Sequence, residues 1–415
     1  MRAVTTRPAF ALAALAVGAF AIGTGEFVIM GLLPDVAGGL AVDIPDAGRL
    51  ISAYAVGVVV GAPLLVAAAN RFPRKHVLIG LMAGYAAFNV LSAVVPGYLP
   101  VLAARFLAGL PHGAFFGIGA VVAGGLVSAD RRARAMATMF AGLTLANVAG
   151  VPVGTLLGQQ LGWRPVFGVV GVIAAVAALA VAACVPDVRD ATPVRLRAEL
   201  RALTHRPVWT ALLVATVGGA ALFSTYSYIT PMLVEVAGFT PTEVTLLLAL
   251  FGVGMTVGNL VGARLADIAT MPTIYGALVA DAVVALLFVP ALQNRATAVV
   301  ALFAFAVTTF ALVPAVQLRI ISGAGDAPNL ASAANQAAFN VANAIGAALG
   351  GTVIAAGYGY ASPNVVAAGL AVVGLVVAVT AGRGDRTAAS RARGRRGGVT
   401  GFSTRRDAAP PRTPR

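Results

Sequence analysis

The sequence predicts an all-α membrane protein of twelve transmembrane helices in two pseudo-symmetric six-helix bundles. Three observations lead there. The 415 residues are 59% hydrophobic and only 11% charged, with a mean hydropathy of +0.90, an apolar share well beyond that of soluble domains. Continuously apolar runs of about 20 residues, the length a helix needs to cross a hydrocarbon core, recur along nearly the whole chain. The basic residues fall almost entirely into alternate loops, and the glycine pattern of the first half returns in the second. A porin-like barrel is excluded, because its strands alternate polar and apolar positions, whereas helices satisfy their own backbone in lipid.

The spans are placed at 10–33, 49–69, 77–95, 101–127, 135–158, 165–185, 209–233, 244–266, 273–292, 298–318, 331–356 and 363–382. The first follows Arg2 and Arg7, as a cleaved signal would. Its apolar run continues through Glu26 to Pro34, too long for a signal, and marks a retained helix. The second carries Gly57 and Gly61, and a short loop from Asn70 to Lys75 leads to the third. Arg105 and His112 lie in the fourth. The fifth holds a stripe from Gly142 to Gly158 that includes Asn147, Gly150, Pro152 and Gly154. Such a stripe combines a proline kink, a buried amide and small residues that let helices approach closely.

Residues 1–185 form the first half, 186–208 a cytoplasmic linker, 209–382 the second half, and 383–415 an Arg-rich tail read as disordered and held near anionic lipid. In the linker, Leu196, Leu200 and Leu203 share one helical face, so either an interfacial amphipathic helix or a plain connection fits. Cys184 is the only cysteine, and His76, His112 and His205 are dispersed. No disulfide, metal cluster or other cofactor is expected.

Net charge is +14, and its placement argues against nucleic acid as the partner. Of the 29 Lys and Arg, all but Arg49, Arg164, Arg295 and the membrane-embedded Arg105 thread to the side of the N-terminus. The positive-inside rule therefore predicts cytoplasmic termini and an inner-membrane location. Gly57-x-x-x-Gly61 then Asn70 reappears as Gly254-x-x-x-Gly258 then Asp267, and Asn147-x-x-Gly150-x-x-x-Gly154 as Asn343-x-x-Gly346-x-x-x-Gly350. The near-constant offset predicts a duplicated six-helix unit.

The stripe Gly142–Gly158 resembles the fifth-helix antiporter motif of major facilitator superfamily drug:proton antiporters. Asn70-Arg71-Phe-Pro-Arg74-Lys75 resembles that superfamily's loop signature between helices two and three, and Arg105-Phe-Leu-Ala-Gly109 its fourth-helix arginine motif. Gly25-Glu26 through Pro34-Asp35, with Tyr228-Ile-Thr-Pro231, is similar to the bacterial arabinose-efflux and chloramphenicol-resistance exporter group. The loop departs from the signature at Asn70, where an acidic residue is usual, and at Pro73, where glycine is usual. A salt-bridge latch at this gate is therefore in doubt in the first half, while the second retains Asp267 beside Arg264. The gating candidates are Asn70, Arg71, Arg74, Asn147, Gly150, Pro152, Gly154 and Asp267.

Ionisable side chains inside a membrane cost a few kcal/mol, about 2.5–3.5 on insertion scales, and mark functional sites. Glu26, Arg105, His112 and Asp281 are such residues. By helical rise, Glu26 lies about 10 Å and Arg105 about 6 Å below the outer ends of their helices, so the two are expected to meet. The pair serves either as a proton site or as a static tie between helices one and four. His112 is a packing residue or a relay, and Asp281, on a helix that the resemblance places at the periphery, is expected to pair with a polar neighbour rather than to carry protons. Asp35 is read as solvated.

The resemblance implies a central cavity lined by helices one, four, seven and ten. Phe223, Tyr226, Ser227, Tyr228, Gln317, Asn335, Gln336, Asn340 and Asn343 are candidates to line it, a few polar anchors among apolar walls. Phe223, Tyr226, Tyr228, Gln317 and Asn340 are the chosen substrate contacts, although the aromatics also fit as interface anchors. No phosphate-binding glycine loop is present, and the ionisable groups are too scattered for a membrane enzyme. The expectation is a monomeric, proton-coupled secondary transporter that exports a small molecule, with import the alternative.

Overall fold

A computed structural model of the chain describes residues 8–69, 72–128, 131–187, 206–323 and 328–399, and of residues 133, 328–333 and 384–399 only the backbone. Asn70 and Arg71, nearly all of the linker, and residues 400–415 of the tail lie outside them. All regular elements among the described residues are helices, and none is a strand.

Helix α1 spans Pro8–Gly31 and is followed by the short α2, Leu33–Leu40. Pro34 explains the break, because its ring cannot pack against the carbonyl of Met30. Then come α3 Ile44–Ala69, α4 Arg74–Val94 and α5 Tyr98–Gly125. The fifth crossing is interrupted: α6 covers Arg132–Leu145, a π-turn Ala146–Gly150, and α7 Val151–Leu161. Pro152 lacks a donor for Val148, and the wide turn before it absorbs the mismatch. α8 is Trp163–Cys184.

In the second half α9 spans Arg206–Tyr226, breaks ahead of Pro231, and resumes as α10 Ile229–Pro231 and a π-turn Met232–Val236. α11, Pro241–Ala291, begins with a capping box in which Thr240 Oγ1 accepts from the Glu243 N–H at 3.3 Å and Glu243 Oε2 accepts from the Thr240 N–H at 2.8 Å. Its 51 residues would measure about 76 Å, more than twice the hydrocarbon core. The backbone leaves helical conformation at Ala269, three residues before Pro272, so α11 is two crossings, the separate spans 244–266 and 273–292, with no loop between them. α12 is Arg295–Gly323 and α13 Pro328–Val353, extended by a π-turn Ile354–Tyr358. α14 runs Pro363–Val399, past residue 382, where the span was placed. The first part of the tail read as disordered is thus helical in this structure, in keeping with its Ala and Arg content. With α11 counted twice, the eleven helices among the described residues that are long and apolar enough to span a membrane make twelve crossings.

The repeat reappears as matched contacts. A side chain at Gly61 would strike Leu110 as one at Gly258 would strike Val307. Gly150 faces Thr24 as Gly346 faces Ala220, and Gly154 faces Val28 as Gly350 faces the Ser224 carbonyl. The apolar core divides three ways. One cluster, with Leu15, Ile22, Phe115 and Val181, belongs to the first half, and another, with Leu212, Leu278 and Ile320, to the second. The third draws on both, uniting Phe27, Met30, Leu33 and Trp163 with Phe223, Leu233, Phe251 and Phe305. Following α1 from its start places this shared core at the end of the bundle opposite the termini, and the separate cores at the end that bears them.

Candidate functional site

Aromatic side chains of α1 and α9 meet at the joint between the halves. Phe27 stacks on Phe223 at 6.4 Å between ring centroids and meets Tyr226 at 6.3 Å, while Tyr226 stacks on Phe251 at 4.4 Å. Thr230 Oγ1 donates to the Met30 carbonyl at 2.9 Å, Gln159 Nε2 to the Pro241 carbonyl at 2.8 Å, and Ser52 Oγ to the Ala344 carbonyl at 3.1 Å. All three bonds link one half to the other.

Glu26 is buried in this joint. Its Oε1 accepts from Asn343 Nδ2 at 3.2 Å, a bond from α13 to α1 across the two halves. Its Oε2 lies 3.9 Å from His112 Nδ1, which is also 3.1 Å from Tyr54 Oη. Tyr54 Oη is 3.4 Å from Tyr85 Oη, and Tyr85 donates to the Ile22 carbonyl at 3.2 Å. The carboxyl thus heads a polar chain through α1, α5, α3 and α4, with a branch into the second half.

The expected ion pair between Glu26 and Arg105 is not formed. Arg105 is wholly buried, but its guanidinium carbon sits 4.5 Å from the centre of the Tyr54 ring and 5.0 Å from that of Phe167. None of its three nitrogens has a hydrogen-bond partner. Matching depth brought the two side chains to one level, but depth says nothing of what lies between them; the rings of Tyr54 and Phe167 hold the cation while His112 and Asn343 reach the carboxyl. Tyr54, Tyr85 and Asn89 were not singled out from the sequence. Their signal was available, since a tyrosine or amide in the middle of an apolar span needs a partner when buried.

Of the substrate candidates, Phe223 and Tyr226 share the aromatic joint beside Glu26. Phe339 of α13 joins them, 5.0 Å from Phe223. Asn340 is buried three residues from Asn343, and its Oδ1 has no partner. Tyr228 is apart from this group: its hydroxyl donates to the Ala347 carbonyl at 2.7 Å, and its ring fills the space left by Gly48, Gly350 and Gly351. Gln317, toward the termini end of α12, bonds Asn335 of α13.

The fifth-crossing stripe packs along α1. Gly142 abuts the Ala16 carbonyl, Gly150 abuts Thr24 and Phe20, a side chain at Gly154 would come within 2.7 Å of Val28, and Gly158 abuts Leu32. On the other side of the π-turn, Gly252 of α11 faces the Asn147 carbonyl, where a side chain would come within 2.7 Å. Asn147 Nδ2 donates to the Leu143 carbonyl at 3.0 Å, and its Oδ1 is unpartnered. Gly150, Gly154 and Asn147 thus connect the helix that carries Glu26 with the second half. Arg74 begins α4, and Asp267 and Arg264 are both exposed without an ion pair among the described residues. Asp281 pairs with Thr309 of α12, at 2.6 Å. Asp35 is exposed on α2.

The model of the Major Facilitator Superfamily matches residues 15–329. The chain is 42% identical to the inner membrane transport protein YdhP of Escherichia coli strain K12, over 90% of this chain and 96% of that one. It is 35% identical to a chloramphenicol resistance protein of Streptomyces lividans, over 88% and 93% of the two chains. Among solved structures, a bacterial homologue of the human lysosomal transporter Spinster, in an inward-facing and occupied conformation, superposes with a TM-score of 0.72 over 92% of this chain and 98% of that one, at 15% identity. The twelve crossings, the duplicated halves and these similarities place the chain among transporters rather than enzymes, and it belongs to the major facilitator superfamily.

Proposed function

We propose that this transporter exports a small molecule in exchange for protons, by alternating access between its two halves, with Glu26 as the proton carrier. The observation that carries this reading is the bond from Asn343 to Glu26. A titratable carboxyl placed across the joint gives protonation a direct effect on whether the halves hold together. A hydrogen bond to an ionised carboxylate is roughly twice as strong as a neutral one, so taking up a proton at Glu26 weakens the grip of Asn343. The glycine stripe of the fifth crossing and the similarity to a protein named for chloramphenicol resistance support export over import. With both termini in the cytoplasm, as the basic loops predict, the end where the cores are separate faces inward, ready to receive a cytoplasmic substrate. Inner-membrane location and a monomeric carrier complete the reading.

The aromatic wall of Phe27, Phe223, Tyr226, Phe251 and Phe339 suits an apolar or aromatic substrate, and the unpartnered atoms of Asn340, Asn343 and Arg105 would meet its polar groups. One proton moving through about 150 mV releases roughly 3.5 kcal/mol, enough for a gradient of more than two decades. The test has two arms. A panel of drugs, sugars and nucleosides applied to cells lacking their own exporters, with and without the protein, identifies the substrate class. In proteoliposomes, Glu26→Gln keeps the hydrogen-bonding shape but cannot titrate, and it is expected to bind substrate without exchanging it for protons. Proton exchange at the wild-type rate in that variant would place the carrier elsewhere.

A further inference from the structure

The second half holds a buried carboxyl that the proposed Glu26 path does not use. Asp281 lies midway along the second crossing of α11 and is 1% exposed. Its Oδ1 faces two hydroxyls of α12, Thr309 Oγ1 at 2.6 Å and Thr308 Oγ1 at 3.4 Å. The same hydroxyls also reach back to the carbonyl of Phe305, Thr309 at 2.8 Å and Thr308 at 3.2 Å.

A hydroxyl has one proton to give, and a carbonyl can only accept. When Thr309 donates to Phe305, the proton in its 2.6 Å contact with Asp281 must come from the carboxyl. Both contacts are full two-centre hydrogen bonds only if Asp281 is a carboxylic acid. Its Oδ2 is buried with no partner, which the carbonyl oxygen of a neutral acid bears at far lower cost than half of a carboxylate. Loss of the proton leaves one arrangement open: the Thr309 hydroxyl turns from Phe305 to the carboxylate, and the chain of donors reverses.

No charged group faces Asp281 among the described residues; its partners are hydroxyls. On its own helix the nearest titratable side chain is Tyr275, about 9 Å away by helical rise, and on α12 it is Arg319, about 15 Å beyond Thr309. The other helices packed here carry ionisable groups only toward their ends, Arg206 and Tyr226 on α9 and the residues from Arg383 onward on α14. The duplication adds an independent point. The register that sets Gly61 against Leu110 in the first half and Gly258 against Val307 in the second sets Thr309 in the place of His112.

We propose that Asp281 with Thr309 is a second proton-binding site of this transporter, seated in the second half, occupied in this conformation and independent of Glu26. The test is infrared spectroscopy of the full-length, reconstituted protein in a Glu26→Gln background, so the outcome does not depend on the reading of Glu26. A protonated carboxyl band is expected at neutral pH, at the high-frequency end of its range because the Oδ2 carbonyl has no donor, and it should bleach reversibly as pH is raised. Asp281→Asn should remove it. Thr309→Val should shift it and Thr309→Ser restore it, which separates the hydrogen-bonded site from a general loss of folding. The absence of any band sensitive to Asp281→Asn, or a band unchanged up to the highest pH the protein withstands, would overturn the proposal.

Discussion

The guanidinium of Arg105 lies buried against the rings of Tyr54 and Phe167. A guanidinium stacked on aromatic faces is attracted by their quadrupoles, by about 2 kcal/mol or more when desolvated, and its planarity is part of that contact. Arg105→Lys keeps the charge and loses the flat face. The purified variant is expected to show a lower thermal midpoint and to lose transport, although the charge is unchanged. Tyr54→Phe makes the complementary change: the ring beneath Arg105 stays, and the hydroxyl between His112 and Tyr85 goes. Its cost should be the smaller one, about 1–2 kcal/mol for a lost buried bond, with transport slowed rather than abolished. Equal loss in both variants would tie transport to the hydroxyl chain rather than the stacked cation. The sequence disclosed which residues are ionisable within the membrane, because composition alone exposes them. It did not disclose their partners, because Asn343 is far from Glu26 in the chain and one hydrogen bond across a joint leaves no periodicity to read.

At the scale of elements, the broken crossings follow from prolines that the sequence displays openly. Pro34, Pro152, Pro231 and Pro272 each sit just after a break or wide turn. What the sequence could not supply is the partner of the Gly142–Gly158 stripe, since small residues permit any close neighbour; the structure supplies α1 and, at Gly252, the second half. Gly150→Leu and Gly154→Leu are expected to insert normally yet fail to transport, because each side chain would occupy space held by Thr24, Phe20 or Val28, and overpacking of this kind costs typically 1–3 kcal/mol. Membrane yield and size-exclusion profile measured alongside transport separate the two effects, and full transport by both variants would dismiss the contact. The merging of spans eight and nine into α11 was not legible, because Arg264, near the end of span eight, and Asp267, just after it, look like the start of a loop when they are simply exposed on a helix.

For the whole molecule, the twelve crossings and the duplication were readable because both are patterns of length and period, whereas the conformation was not, since one sequence serves every state of the cycle. Orientation gives one prediction: a reporter fused after Arg415 should be active only in the cytoplasm. The shared core gives another. In a Cys184→Ser background, cysteines at Gln159 and Thr245, whose side chains meet at 3.4 Å across the joint, should crosslink readily. The bridged protein should be unable to transport until it is reduced, and unimpaired transport while bridged would mean that this end never parts. The position of the shared core at one end has a mechanical consequence. A hinge at one face of a bilayer whose core is about 30 Å thick gives each half a lever arm of that length, so a rotation of about 15°, common among switching proteins, moves the far mouth by about 8 Å. On the proposed alternating-access reading, displacements of an ångström at Glu26, Gly252 or Thr230 are thereby multiplied into an opening wide enough for a small molecule, and the chemistry at the joint can be small because the geometry does the amplifying.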